Sequence, residues 1–204
     1  MTTIPDTAMV VVRASHVPGP PQGQWTFADY ARLPDVDGYR YEIIDGVLYM
    51  APAPIPEHER IAMLIGARLV AAVEDTGLGQ VFGSPDIDVG FTTVRPDAAV
   101  VLNAHAGVVA EKKLIGPPDL VVEVASPSTA AYDRDPEEGK WGAYARIGVW
   151  EYWIADPLQR SIEVLVLVDD TYISLGVFQG DDRLPSRVLP GLPTPVRRFF
   201  PRDI

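Results

Sequence analysis

Two carboxylates in this chain stand where a carboxylate needs a reason. Glu123 lies inside the apolar run Leu120-Val121-Val122-Glu123-Val124-Ala125, and a charge buried in such a run is costly unless it is paired or bound to a cation. Asp97 follows Arg95-Pro96 and opens the apolar stretch Ala98-Ala99-Val100-Val101; a proline just before it fits only a strand start or edge. Two carboxylates on neighbouring strands make an oxygen-rich pocket for a hard cation such as Mg²⁺, which is usually held by one or two carboxylates with waters and phosphate oxygens. The chemistry such an ion brings is polarisation of a phosphate and activation of water, which is what cutting a phosphodiester requires. The remaining need is a cation to hold the attacking water and offset developing negative charge, and Lys140 is the candidate. Each residue also has an ordinary reading. Glu123 can pair with a buried arginine or face water at a strand end, and Lys140 can be a solvated helix lysine.

The elements that must position these residues follow from periodicity. Two β-rich runs, Tyr39–Ile44 and Val47–Met50, flank Asp45-Gly46, a pair suited to the positive φ angles of a tight hairpin turn. From Glu57 to Asp75, apolar residues at Ile61, Leu64, Ile65, Leu69, Val70 and Val73 keep helical spacing. Three strands are expected next, over 80–89, 93–102 and 120–125. A second helix fits 136–146, with Pro136 in its first turn and Gly148 beyond its end. A strand at 151–155 and an antiparallel pair, 162–168 and 172–177, complete the regular structure. A short helix within 25–33, capped by Thr26 with Asp29 as its box partner, precedes the hairpin. The fold class is therefore α/β, with a mixed sheet and the second helix on one face. Residues 1–24, rich in proline and glycine, are expected as a flexible arm, and 25–204 as one domain with its core at about 57–156. The proline-rich stretch 185–201 is expected to be irregular.

The chain has 204 residues, of which 47% are hydrophobic and 22% charged, with no cysteine. No apolar run approaches the roughly 20 residues that cross a bilayer, and the N-terminus lacks a secretory pattern. A cytoplasmic location is the expectation. Seventeen Lys and Arg against 28 Asp and Glu give a net charge of −11, which opposes binding of a polyanion, although carboxylates and a bound cation reverse the field locally. Arg197, Arg198 and Arg202 form a basic cluster near the C-terminus and are expected as a solvated tail.

The order helix, three strands, helix, strand, with Asp97 on the middle strand and Glu123 on the next, resembles the PD-(D/E)xK nuclease superfamily. The runs Tyr41-Glu42-Ile43-Ile44-Asp45-Gly46, Arg95-Pro96-Asp97, Asp119 to Thr129, and Tyr144 to Pro157 resemble, in that order, the Uma-two family of restriction-endonuclease-like proteins. Pro-Asp by itself says nothing, since Pro34-Asp35, Pro85-Asp86 and Pro118-Asp119 also occur. The resemblance spans about residues 25–168. It implies a restriction-endonuclease-like core, an Mg²⁺- or Mn²⁺-dependent endonuclease acting on DNA, and Asp97 and Glu123 as metal ligands helped by the Val124 carbonyl. The superfamily lysine stands two residues after the acid, where this chain has Ala125; the family pattern moves it to the following helix, which assigns the role to Lys140. The spacing from Asp133-Arg134 to Lys140 implies a short insertion.

Glu42 is either a third carboxylate of the site or a partner of Arg40. His58 matches a position where the family often has histidine, and a place near a helix N-terminus favours its neutral form and contact with a phosphate. One of Asp86 and Asp88 can face the site, although the strand alternation equally allows solvent exposure. Trp141, Tyr144, Trp150, Tyr152 and Trp153 read as core or interface, and the late hairpin suggests a homodimer. Two other functions fit the same residues: an idle nuclease-fold module for dimerisation or partner binding, and a hydrolase of small phosphate esters, which needs no basic surface.

Overall fold

In the computed structural model, which describes residues 10–202, the chain folds as strand β1 (Val12–Arg13), helix α1 (Phe27–Tyr30), β2 (Tyr39–Ile44), β3 (Val47–Pro52), α2 (Pro56–Val73), β4 (Gly79–Gly83), β5 (Ile87–Val89), β6 (Thr92–Val94), β7 (Ala98–Leu102), β8 (Leu120–Val124), α3 (Ala130–Asp133), α4 (Lys140–Ile147), β9 (Glu151–Asp156), β10 (Ser161–Val168) and β11 (Thr171–Gln179). The larger sheet has the order β11-β10-β9-β8-β7-β4, and a five-stranded sheet has the order β1-β3-β2-β6-β5. The larger sheet is mixed. Strands β8 and β9 run parallel, joined by the α3–α4 crossover, with Glu123 level with Ile154; its other neighbours are antiparallel.

Side-chain alternation along the central strands sets the layers. Leu120, Val122 and Val124 of β8 and Ala98 and Val100 of β7 face α2, whose Ile61, Ile65, Leu69 and Val73 repeat every fourth residue and are all buried. Val121 and Ala99 point the other way, into a second core with Ala143, Tyr144 and Tyr152. Glu123 shares the face of Val121. The alternation that buries Val122 and Val124 against α2 therefore aims Glu123 at α4.

The expected hairpin forms as a tight turn, with Asp45 at φ 50° and Gly46 at φ 74°. Glycine is required at 46 twice over, because a Cβ there would lie 2.4 Å from the Gly23 carbonyl oxygen. The capping box of Thr26 and Asp29 is present. Two expected strands divide. The stretch 80–89 breaks at Ser84 (φ 47°) and Pro85 into β4 and β5, and 93–102 breaks at Pro96 into β6 and β7. In each case the first or second half leaves the large sheet for the small one, because proline withholds a ladder donor at the crossing. The second helix starts at Lys140 rather than 136. The Asp135 carboxylate accepts the Glu137 and Glu138 N–H groups at 2.8 and 3.0 Å, closing a separate turn first.

Of the arm expected at 1–24, residues 1–9 lie outside the described residues. The rest lies along the hairpin: β1 pairs with β3, Ala14 N–H donates to the Leu48 carbonyl at 2.8 Å, and Gly23 N–H to the Gly46 carbonyl at 2.7 Å. The segment after β11 is irregular, as its prolines predict, yet it forms core. Leu184, Leu189, Leu192, Val196, Phe199 and Phe200 are buried beneath the large sheet. Its anchor is Glu151, fully buried, whose oxygens accept Trp153 Nε1–H at 2.6 Å and the Arg187 and Val188 N–H groups at 2.7 and 3.1 Å. Among the described residues no helix is long and apolar enough to cross a membrane.

Candidate active site

Asp97, Glu123, Val124, Lys140, Glu42 and His58, scattered over a hundred positions of sequence, line one pocket of about 380 Å³. Asp97 sits at the crossing between β6 and β7, its N–H held by the Val122 carbonyl at 3.0 Å. Its Oδ2 accepts the Val124 N–H at 2.8 Å and lies 3.1 Å from His58 Nε2. Glu123 is 4% exposed. Its Oε1 accepts Tyr144 O–H at 2.6 Å and Lys140 Nζ at 2.8 Å. Each carboxylate thus has one oxygen occupied, while Asp97 Oδ1 and Glu123 Oε2 have no hydrogen-bond donor among the described residues.

Lys140 is buried and meets three acceptors, Glu123 Oε1 at 2.8 Å, Glu42 Oε1 at 3.0 Å and the Arg95 carbonyl at 3.3 Å. Three acceptors match the three N–H bonds of an ammonium. Burial opposes its charge, but Glu123, Glu42, Asp133 and Asp97 outweigh it and hold the lysine protonated well above the usual range. Burial likewise raises Glu123; Lys140 pulls it back, and the neighbouring carboxylates push it up. Asp133, buried on α3 with Thr129 Oγ1 donating to it at 2.8 Å, is raised to about 6, chiefly by burial, with Lys140 opposing. Arg40 and Arg95 also line the pocket, beside Lys140 and the four carboxyl groups of Glu42, Asp97, Glu123 and Asp133.

His58 lies in the first turn of α2. Burial works against its protonation, but the hydrogen bond and charge of Asp97, with the Val124 backbone adding, raise it above its ordinary value. The shift runs against the one expected from the helix N-terminus, because a carboxylate at contact distance outweighs a partial helix charge. Glu42 belongs to the pocket, and Arg40 pairs with Glu59 instead, at 3.1 Å. Neither Asp86 nor Asp88 lines it. Asp86 is bound by Arg95 and Tyr30, and Asp88 by Lys113 and Thr93.

Among the described residues four buried side-chain polar atoms have no hydrogen-bond partner; three belong to pocket residues, Glu42 Oε2, His58 Nδ1 and Tyr132 Oη, and the fourth, Trp25 Nε1, lies outside the pocket. Such groups are expensive to leave unpaired and imply a ligand, an ion or water. The donor chemistry fits a hard divalent cation, since two carboxylates with one uncommitted oxygen each and a nearby carbonyl are oxygen ligands. No group of three or more Asp, Glu or His side chains is arranged as a complete cage among the described residues, so the balance of a coordination shell would fall to water and substrate. Sequence reasoning missed Tyr132, Tyr144 as a site residue, and Asp133. Tyr144 was open to discovery, since it stands one helical turn after Lys140.

A family model, Uma2, described as "Putative restriction endonuclease", matches residues 27–197. Among solved structures the chain is similar to a crystal structure of "a putative nuclease belonging to DUF820" from Anabaena variabilis ATCC 29413, at 18% sequence identity with a TM-score of 0.67. That match covers 86% of this chain and 97% of that one. At this identity the likeness shows a shared fold, the nuclease-like core expected above. No curated protein matches.

Proposed function

The chain belongs to the Uma2 family, and on that premise we propose that it is a metal-dependent endonuclease that hydrolyses DNA phosphodiester bonds. The observation that carries this reading is the half-occupied state of Asp97 and Glu123, each with one oxygen fixed and one uncommitted. These side chains, with the Val124 carbonyl, would hold Mg²⁺ or Mn²⁺, which when bound polarises the scissile phosphate and acidifies water. The protein's own groups do the positioning. The Val124 N–H and His58 fix Asp97, and Tyr144 fixes Glu123. Lys140 contributes its charge beside the phosphate, offsetting negative charge as the attacking oxygen approaches. With its three N–H bonds already directed at acceptors, it acts through the field rather than through a spare donor.

That same saturation favours a second reading, in which Lys140 is a structural tie and the domain an idle module for dimerisation or partner binding. A homodimer through the outer edge of β11, where Ile173 and Val177 are exposed, suits either reading. Cleavage of supercoiled and single-stranded DNA with Mg²⁺ or Mn²⁺, comparing the parent with Asp97→Ala and Glu123→Ala, separates them. Metal-dependent nicking lost in both variants is expected. Absence of cleavage together with absence of metal binding by calorimetry would leave the idle module.

A further inference from the structure

We infer that a groove between α2 and the C-terminal segment is a binding site for the phosphodiester backbone of a nucleic acid, outside the pocket where cutting is proposed. Arg60 and Arg68 of α2 line it together with Arg197, Arg198 and Arg202, and no Asp or Glu does among the described residues. Five of the 17 Lys and Arg of a chain with net charge −11 therefore share one concavity. Sequence places them in two groups, 60–68 and 197–202; the fold joins them, because Val196 and Phe199 are buried in the core beneath α2 while the intervening arginines face outward.

The arginines are only lightly committed. Arg68 Nε donates to the Arg198 carbonyl at 3.3 Å, a contact that pins the C-terminal segment to the helix. Arg60 lies 3.8 Å from Glu57, both well exposed, and Arg197 pairs with the exposed Asp181. Arg198 enters no ion pair among the described residues. Guanidinium forks match phosphate oxygens in pairs. The spacing suits a strand: eight residues of α-helix separate Arg60 from Arg68, about 12 Å, or roughly three to four nucleotides along a duplex axis. The acidic remainder of the surface repels a polyanion, so this patch fixes where one can land. Because α2 also presents His58 to the pocket, one rigid helix links the groove to the cleavage site. In that respect the inference rests on the nuclease reading.

The test is binding of a labelled 20-base-pair duplex, and of one of its strands, to the full chain in EDTA, read by anisotropy across a series of KCl concentrations. Arg60→Gln, Arg68→Gln and Arg198→Gln combined should weaken binding at least tenfold and reduce the slope of log affinity against log salt by about 2–3. The exposed single change Arg198→Glu should weaken binding several-fold without shifting the melting temperature. Unchanged affinity and slope would overturn the inference. So would unchanged affinity with altered sedimentation, which would assign the groove to a second copy of the chain. Binding through the groove in EDTA with no cleavage in Mg²⁺ or Mn²⁺ would sink the nuclease reading and leave the groove. Cleavage with an unaffected triple variant would do the reverse.

Discussion

Tyr144 and Lys140, one turn apart on α4, donate to the same oxygen of Glu123, at 2.6 and 2.8 Å. Residues four apart share a helix face, so one short helix fixes the carboxylate at two points on one side and leaves its other oxygen uncommitted. Tyr144→Phe removes one point. Its expected cost is about 1–2 kcal/mol of stability, with weaker Mg²⁺ binding by calorimetry and an unchanged far-UV spectrum. Metal affinity equal to the parent's would show that Tyr144 has no hold on the ligand oxygen.

Lys140 is the one ammonium among Glu42, Glu123, Asp97 and Asp133. Lys140→Met keeps its length but leaves buried carboxylates uncompensated, and removing one member of such a cluster costs roughly 3–5 kcal/mol. Part of that loss should return when Mg²⁺ or Mn²⁺ supplies the missing charge. Melting in EDTA and in excess metal checks this: a larger metal-induced rise for the variant than for the parent is expected, and equal rises would refute it.

Asp133 gives a pH dependence. Its folded value of about 6 lies above the ordinary 3.8, so ionisation disfavours folding. The penalty is absent below pH 4, grows between about 4 and 6, and is complete above 6. Asp133→Asn keeps an acceptor for Thr129 and removes the penalty. In EDTA the variant should gain on the parent through that interval, reaching on the order of 2–3 kcal/mol at neutral pH. Denaturation midpoints that keep a constant gap from pH 4 to 7 would count against it.

His58 gives the opposite sign. Burial disfavours its charge, yet Asp97 raises it above 6.5, so the pair stabilises the fold fully below 6.5 and the contribution fades as pH rises through the higher folded value. His58→Gln should therefore be more destabilised relative to the parent at pH 6 than at pH 9. A deficit independent of pH would mean that the ring acts by packing alone.

Much of this site was legible because burial makes carboxylates conspicuous. Glu123 stood out as a charge in an apolar run, and its strand's alternation decides which face it takes. The hairpin, both long helices and the β8-to-β9 crossover follow from turn chemistry and period. What stayed hidden is long-range. Local propensity shows that 80–89 and 93–102 are extended but not that each divides between sheets, a choice made by pairing partners distant in sequence. Tyr132 and Asp133 sit on a helix of 4 residues, too short for any period to show. The arginine groove needs the C-terminal segment to be core rather than tail, and that depends on Glu151, a carboxylate whose partners are backbone N–H groups and an indole.

The pocket takes Glu42 from the small sheet, Glu123 from the large one and Asp97 from the crossing between them, with Lys140 bonded to both glutamates. The site is thus a seam, and the lysine is its stitch. Competence for the proposed chemistry would then belong to neither sheet alone but to their closure on each other, so slackening between them would silence it while both sheets were still folded.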